Sequence, residues 1–269
     1  MPMPAVDYQG QTTLITGASA GLGAEFARQL AARGSDLVLV ARRRERLEKL
    51  ATELREQHRI QAHVVEMDLA TDHPGQALAE QVDQLGLHVT SLVNNAGFAT
   101  FGPFHQADPD RLHREIAVDV TAVADISRAF IGQLRTAGRG VLVNVASMAA
   151  YQPNPRMALY GATKAFVLSL TEALWEESRG TGLRVLALSP GATRTEFFDV
   201  VGTPQAAGGT KLASPVDVVR TALATLDRRN PPPSVIAGRM NRVMAFLARR
   251  LATRRQVIRA IGRLTAQEA

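Results

Sequence analysis

Short apolar runs recur along the chain, and between them apolar residues fall at three- and four-residue spacing. Residues 11–16, 36–41, 62–67, 91–93, 141–146, 183–189 and 234–237 are each of strand length and rich in valine, isoleucine and leucine. The intervening segments carry Phe26, Leu30 and Ala31, then Leu47, Leu50 and Leu54, then the helical pattern of 215–226. Strands that are almost wholly apolar must be covered on both faces, and alternation with amphipathic helices supplies that cover. The pattern therefore predicts an α/β fold: a doubly wound parallel sheet of about seven strands with helices on both faces. No linker or internal repeat divides residues 1–269, so a single domain is expected, ending in a basic amphipathic helical segment at about 239–266.

Glycines punctuate this pattern where the first strand meets the first helix. Gly17, Gly21 and Gly23, with Ser19 and Leu22 between them, form a turn in which the backbone can approach a pyrophosphate at a helix N-terminus. Dinucleotide folds that select NAD place an acid at the end of the second strand, to bond the ribose 2′-hydroxyl. This chain has Ala41 there, followed by Arg42, Arg43 and Arg44. With no acid to repel a 2′-phosphate and a guanidinium to bind it, the residues point to NADP(H), with Arg42 as the principal contact.

A second stretch carries the candidate chemistry. Ser147 follows the apolar run 141–146, and Tyr160 and Lys164 stand four residues apart. On a helix they share one face. A phenol titrates near pH 10, and a neighbouring ammonium favours its phenolate, so Tyr160 is suited to exchange a proton with a carbonyl or alcohol oxygen that Ser147 can hydrogen-bond.

Four motifs then agree in order and spacing: Thr16-Gly17-Ala18-Ser19-Ala20-Gly21-Leu22-Gly23; Asn94-Asn95-Ala96-Gly97; Ser147 with Tyr160-Gly161-Ala162-Thr163-Lys164; and Pro190-Gly191-Ala192-Thr193-Arg194-Thr195. On these, residues 10–238 resemble the short-chain dehydrogenase/reductase family. The resemblance implies a Rossmann-like sheet and an NADP(H)-dependent oxidoreductase that interconverts a ketone or aldehyde and an alcohol. It implies that Asp68 and Leu69 contact the adenine and that Asn95, Ala96 and Gly97 line the cofactor crevice. It also implies that Pro190, Gly191, Thr193 and Thr195 hold the nicotinamide amide and a phosphate. Residues 196–213, which include Gly202, Gly208 and Gly209, correspond to a substrate lid. The family asparagine of the Asn-Ser-Tyr-Lys set is replaced by Asp119, which would raise the lysine pKa and shift the tyrosine upward. The resemblance implies a homodimer or homotetramer through the helices that carry Asp119 and Tyr160. A 3-oxoacyl thioester reductase is an alternative within this class, and a weakly catalytic NADP(H)-binding regulator, hinted at by Asp119, is an alternative of a different class.

Phe98, Phe101 and Phe104 are candidates for the floor of a substrate pocket or for packing beneath a loop. Phe166, Leu170 and Leu174 form a stripe expected to face core or a subunit interface.

Charge and cysteine content narrow the picture. The chain has no cysteine, and its six histidines lack paired-ligand spacing, so no disulfide and no metal is expected. No basic, apolar leader is evident at the start, and a cytoplasmic location is expected. Residues 239–269 hold eight arginines and one acid, a surplus of +7 against +6 for the whole chain, so the remainder sums to −1. Basicity confined to one segment argues against nucleic acid as a partner. The apolar residues of that segment, among them Val243, Met244, Phe246, Leu247, Ile261 and Leu264, are expected to pack on the domain or a neighbouring subunit, with peripheral membrane contact the less favoured use.

Overall fold

The computed structural model describes residues 5–203, 206, 210, 212–251 and 253–266; Gly208 and Gly209 of the expected lid lie outside them. Seven strands, β1 (Thr12–Thr16), β2 (Asp36–Ala41), β3 (Ala62–Glu66), β4 (Ser91–Asn94), β5 (Val141–Val145), β6 (Arg184–Ser189) and β7 (Ser234–Ile236), form one sheet. All neighbours are parallel, in the order β3-β2-β1-β4-β5-β6-β7. Between them run α1 (Gly21–Ala31), α2 (Arg44–His58), α3 (Pro74–Gln84), α4 (Pro109–Ile116), α5 (Ala122–Ala137), α6 (Ala158–Glu177), α7 (Phe197–Val201) and α8 (Pro215–Leu226), with α9 (Arg239–Leu251) and α10 (Arg254–Ala266) at the end. The strand order reverses between β1 and β4. That switch point opens a crevice at the carboxyl ends of the strands, where such sheets bind their ligands.

Period-two alternation divides the core in two. Ile15, Leu37, Leu39, Val143 and Leu186 face one side and pack with α1, α2 and α8 through Phe26, Leu50 and Leu223. Leu14, Val38, Val40, Leu142 and Val185 face the other and pack with α3 and α5 through Leu78 and Phe130. Each large side chain so enclosed contributes about 1.5–3 kcal/mol over its exposed state.

A chain of buried polar groups crosses this core beneath the crevice. Asn94 donates from Nδ2 to Ser127 Oγ at 3.0 Å and to Asn144 Oδ1 at 2.9 Å. Asn144 in turn donates to Thr171 Oγ1 at 2.9 Å, and Thr171 donates to the Val167 carbonyl at 2.6 Å. The chain ties α5, β4, β5 and α6 into one register, because slipping any member would strand a buried polar group at a cost of about 1–3 kcal/mol.

The structure assigns a side to two of the expected helix faces. On α6 the buried positions are Tyr160, Thr163, Lys164, Val167 and Thr171, at helical spacing, while Phe166 is 39% exposed. The face turned to the sheet is the one that carries Tyr160 and Lys164, which rotates Phe166 outward. On α9 it is Ala245 that is buried, whereas Met240 and Phe246 are 72% and 61% exposed and Val243, Met244 and Leu247 are exposed with them. Asn241, on the Ala245 side, lies against Gly191 and donates to the Ala237 carbonyl at 2.8 Å. The polar side of α9 therefore meets the body, and among the described residues its apolar side is left exposed.

Candidate active site

The glycine turn is held closed by β1 and β4. Thr16 Oγ1 accepts from the backbone amides of Asn95 and Ala96 at 3.0 and 3.1 Å, and Asn95 Nδ2 donates to the carbonyls of Thr16 at 3.0 Å and Gly17 at 3.3 Å. The Asn95 amide is thus spent on shaping the turn. A Cβ at Gly17, whose φ is +65°, would stand 2.8 Å from that amide, and one at Gly23 would stand 2.3 Å from the Gly17 carbonyl oxygen. Only glycine fits both places, and the result is a bare backbone cradle at the N-terminus of α1. Gly21 touches Thr195 across this cradle, so the glycine turn and the 190–195 loop bound one groove. Thr193 Oγ1 donates to the Gly191 carbonyl at 2.8 Å, and Thr195 Oγ1 accepts from the Phe197 amide at 3.3 Å, fixing that loop.

Beyond the end of β2, Arg42, Met67 and Asp68 line an open cavity of about 710 Å³. Asp68 accepts from the Ala70 amide at 3.1 Å and pairs with Arg114 at 2.9 Å. Leu69 is buried beside it in the core. Arg43 extends the other way, donating to Ser19 Oγ from Nε and Nη2 and pairing with Glu196 at 2.8 Å, where Arg46 joins. Arg42 and Arg43 therefore flank the groove from opposite sides.

At the other end stand Ser147, Tyr160 and Lys164. Ser147 caps a short 3-10 turn (Met148–Tyr151), its Oγ accepting from the Ala149 amide at 3.1 Å. Tyr160 and Lys164 lie on the buried face of α6, with the ammonium 5.6 Å from the ring centroid. Lys164 Nζ pairs with Asp119 Oδ2 at 3.0 Å and donates to the Val145 carbonyl at 3.3 Å. An ammonium has three N–H groups, so one donor remains for a third partner. Asp119 sits in a single π-helical turn (Ala117–Thr121) between α4 and α5, and its Oδ1 accepts from the Phe98 amide at 3.0 Å. A Cβ at Gly97 would stand 3.0 Å from both Asp119 Oδ1 and Lys164 Nζ, so a glycine is needed for the 94–97 turn to close over the ion pair.

The electrostatics follow from burial. Enclosure pushes the Asp119 carboxyl up against the pull of Lys164. Burial is the largest single influence on Lys164 and works to lower its pKa, but the charge and hydrogen bond of Asp119 together with the charges of Tyr160 and Glu115 outweigh it, and the net direction is upward. Tyr160 is raised by burial; the Lys164 cation and the Ser147 hydroxyl pull it down, while Asp119 and Glu115 add to the rise. The contribution of Asp119 to Tyr160 is upward, within a rise that burial dominates.

Around the phenol the walls are apolar. Phe101, Ala149, Met157, Phe197 and Val201 gather with Tyr160, and the Phe197 ring lies 5.5 Å from the Tyr160 ring. Of the three phenylalanines only Phe101 joins this wall: Phe98 lies under the Arg111 guanidinium at 5.2 Å, and Phe104 is exposed.

Glu115 was missed in the sequence. It is fully buried one turn before Asp119, and no hydrogen bond of ordinary geometry reaches either carboxyl oxygen. Its only sequence signal is an acid four residues before Asp119, which on most helices is a solvated face.

With this geometry in place, residues 11–205 match the family model for short chain dehydrogenase. The chain belongs to that family of oxidoreductases, which act between alcohols and carbonyls with a nicotinamide cofactor. It is 39% identical over 197 residues to sulfoacetaldehyde reductase of Chromohalobacter salexigens, covering 72% of this chain and 77% of that protein. It is 32% identical over 236 residues to 7beta-hydroxysteroid dehydrogenase of Collinsella aerofaciens, covering 87% and 88%. Among solved structures, a short-chain dehydrogenase from Sphingobium yanoikuyae in complex with NADPH superposes with a TM-score of 0.79 at 33% identity, covering 93% of this chain and 95% of that one. A 7beta-hydroxysteroid dehydrogenase structure superposes with a TM-score of 0.85 at 29% identity, covering 97% and 100%. Among the described residues no helix is long and apolar enough to cross a membrane.

Proposed function

We propose that this protein is an NADP(H)-dependent reductase of apolar ketones or aldehydes, reversible toward the alcohol. The observation that carries the reading is the meeting of the Tyr160 phenol and the Lys164 ammonium under an apolar wall, at the end of a groove that begins in a glycine cradle. The nicotinamide, when bound, supplies or accepts the hydride. Gly17, Ser19, Gly21, Leu22 and Gly23 would hold its pyrophosphate, with Arg42 and Arg43 at the 2′-phosphate and Asp68, Leu69, Asn95, Ala96 and Gly97 along the adenosine side. Pro190, Gly191, Thr193 and Thr195 would hold the amide end.

In this reading Tyr160 delivers a proton to the substrate oxygen during reduction and accepts it during oxidation. Ser147 hydrogen-bonds the same oxygen, and the remaining donor of Lys164 is free for a ribose hydroxyl. Phe101, Met157 and Phe197 exclude water and favour an apolar substituent on the carbonyl. The NADPH-bound relative supports the cofactor choice. Exposed Phe166 on α6 supports a homodimer or homotetramer through α5 and α6. Following NADPH and NADH consumption with a panel of apolar ketones, beside the Tyr160→Phe variant, tests the reading. It fails if the variant keeps wild-type turnover or if charged carbonyls alone are reduced.

A further inference from the structure

Glu115 is a buried acid that the reaction described above does not use. It stands at the last turn of α4, wholly enclosed, with the Thr100 hydroxyl and amide beside it but no hydrogen bond of ordinary geometry to either carboxyl oxygen. The charged and titratable groups that face it are Arg111 and Asp119 on its own helical run, and Lys164 and Tyr160 on α6, against which α4 packs. The one ammonium in this cluster is already paired with Asp119 at 3.0 Å. Arg111 is turned away, donating to the carbonyls of Ala99 and Val200, both at 3.0 Å. Two ionised carboxylates would therefore share one buried lysine and leave a net negative charge beneath the phenol.

A buried carboxylate with no cation of its own and only the imperfectly aligned donors of Thr100 beside it is expensive, and the ordinary escape is to take up a proton. Burial indeed pushes Glu115 up to about 7; Thr100 and Arg111 oppose the shift and the Asp119 charge adds to it.

We propose that Glu115 is a positioning residue for Tyr160: its enclosed carboxyl, one helical turn from Asp119, sets the charge that the Asp119–Lys164 pair presents to the phenol. With Glu115 neutral, the lysine is balanced by Asp119 alone and its field still reaches Tyr160. With Glu115 ionised, the added negative charge offsets that field and holds the phenol protonated. Neutral Glu115 thus favours the phenolate needed to take a proton from an alcohol, and ionised Glu115 favours the phenol needed to give one to a carbonyl. The inference rests on Tyr160 as the proton-exchanging group.

The test titrates Tyr160 directly. The near-ultraviolet absorbance of phenolate is followed against pH in the full chain with NADP⁺ added. Subtracting the Tyr160→Phe profile isolates this residue from Tyr8 and Tyr151. In Glu115→Gln and Glu115→Met, each measured against its own Tyr160→Phe double variant, the Tyr160 titration is expected to move to lower pH by about half a unit to one unit. Thermal melts supply a second reading. Because the folded-state value of Glu115 is raised from 4.5 to about 7, its carboxyl withdraws stability progressively as pH climbs through that window. The melting temperature of Glu115→Gln, relative to wild type, should therefore increase from pH 4.5 to above pH 7. Tyr160 profiles that superimpose on wild type overturn the proposal, as does a melting difference that ignores pH. Failure of both neutral variants to fold overturns it too, since removing an uncompensated buried charge should not unfold the chain. If turnover survives in Tyr160→Phe, the reading of the reaction fails instead, and the two outcomes are told apart.

Discussion

Two ion pairs of nearly equal length occupy opposite ends of the groove. Lys164–Asp119 spans 3.0 Å with side chains 5% and 0% exposed, and Arg43–Glu196 spans 2.8 Å with side chains 45% and 40% exposed. At equal separation, the buried pair acts through a medium several-fold less polarisable, where each unit charge reaches its neighbours at about 4 kcal/mol against about 1 in water. The first pair therefore raises or lowers the pKa of everything around it, Tyr160 included. The second lowers the Glu196 pKa through its hydrogen bonds to Arg43 and then Arg46, and its influence ends there. In the proposed reading, the comparison separates a centre that does chemistry from a rim that orients a ligand.

The sharpest way to break it is at the phenol. Tyr160→Phe removes the group that exchanges the proton while leaving the ring against Phe197, so turnover should fall by at least about a hundredfold with little change in melting. Steady-state rates at saturating cofactor decide this; a loss of only a few-fold would mean the buried centre is not where the proton moves.

At the rim the expected effect is on affinity. Arg42→Ala removes a charge-assisted contact to the 2′-phosphate worth roughly 1.5–3 kcal/mol, which should weaken NADPH by about 10- to 150-fold and leave NADH nearly untouched. Titration of both cofactors against the apo protein measures it. Equal weakening of the two would move the phosphate contact elsewhere, with Arg43 beside Ser19 as the next candidate.

Asp119 tests the centre from its other side. The structure asks position 119 for two acceptors, one for the Phe98 amide and one for Lys164 Nζ. A carboxylate offers both. An asparagine keeps one oxygen and turns its NH₂ toward the ammonium, so Lys164 would release its grip and its charge would fall more fully on Tyr160. Asp119→Asn should therefore move the tyrosine limb of the pH–rate profile to lower pH and change the maximal rate by less than about tenfold. Abolished activity would instead place the carboxylate itself among the groups that move protons.

The cofactor half of the molecule was readable in the sequence because its constraints are local. Gly17 and Gly23 are demanded by backbone contacts within one turn, and the apolar strands report burial on both faces directly. Tyr160 and Lys164 were readable because a helix of known period fixes their common face. What escaped was set by contacts between distant segments. Asn144 and Thr171 meet across β5 and α6, and nothing near either residue in the chain announces the pairing. Glu115 looked like a surface acid, since only tertiary enclosure distinguishes it from Glu56 or Glu80. The orientation of the tail escaped for a related reason: helical spacing says that Met240, Val243, Met244 and Leu247 share a side of α9, but it cannot say which side meets the body, and Asn241 and Ala245 took that place.

The smallest expected effect sharpens the comparison most. Glu196 joins the segment leading into α7 to Arg43 and Arg46, and on paper its two ion pairs outnumber the single one of Asp119. Both guanidiniums and the carboxylate are well exposed, so water and salt already screen them, and holding three long side chains in place costs conformational entropy. Glu196→Gln should then change stability by less than about 1 kcal/mol, and that small difference should shrink as ionic strength rises. Cutting the contact also frees Arg43 to lean on Ser19 alone, so NADPH affinity should hold or improve slightly. Denaturant melts of the variant at low and high salt, read beside those of Asp119→Asn, settle the matter. A large, salt-independent loss at Glu196 would show that the groove rim is as closed to solvent as its floor, and the contrast between the two ends would not stand.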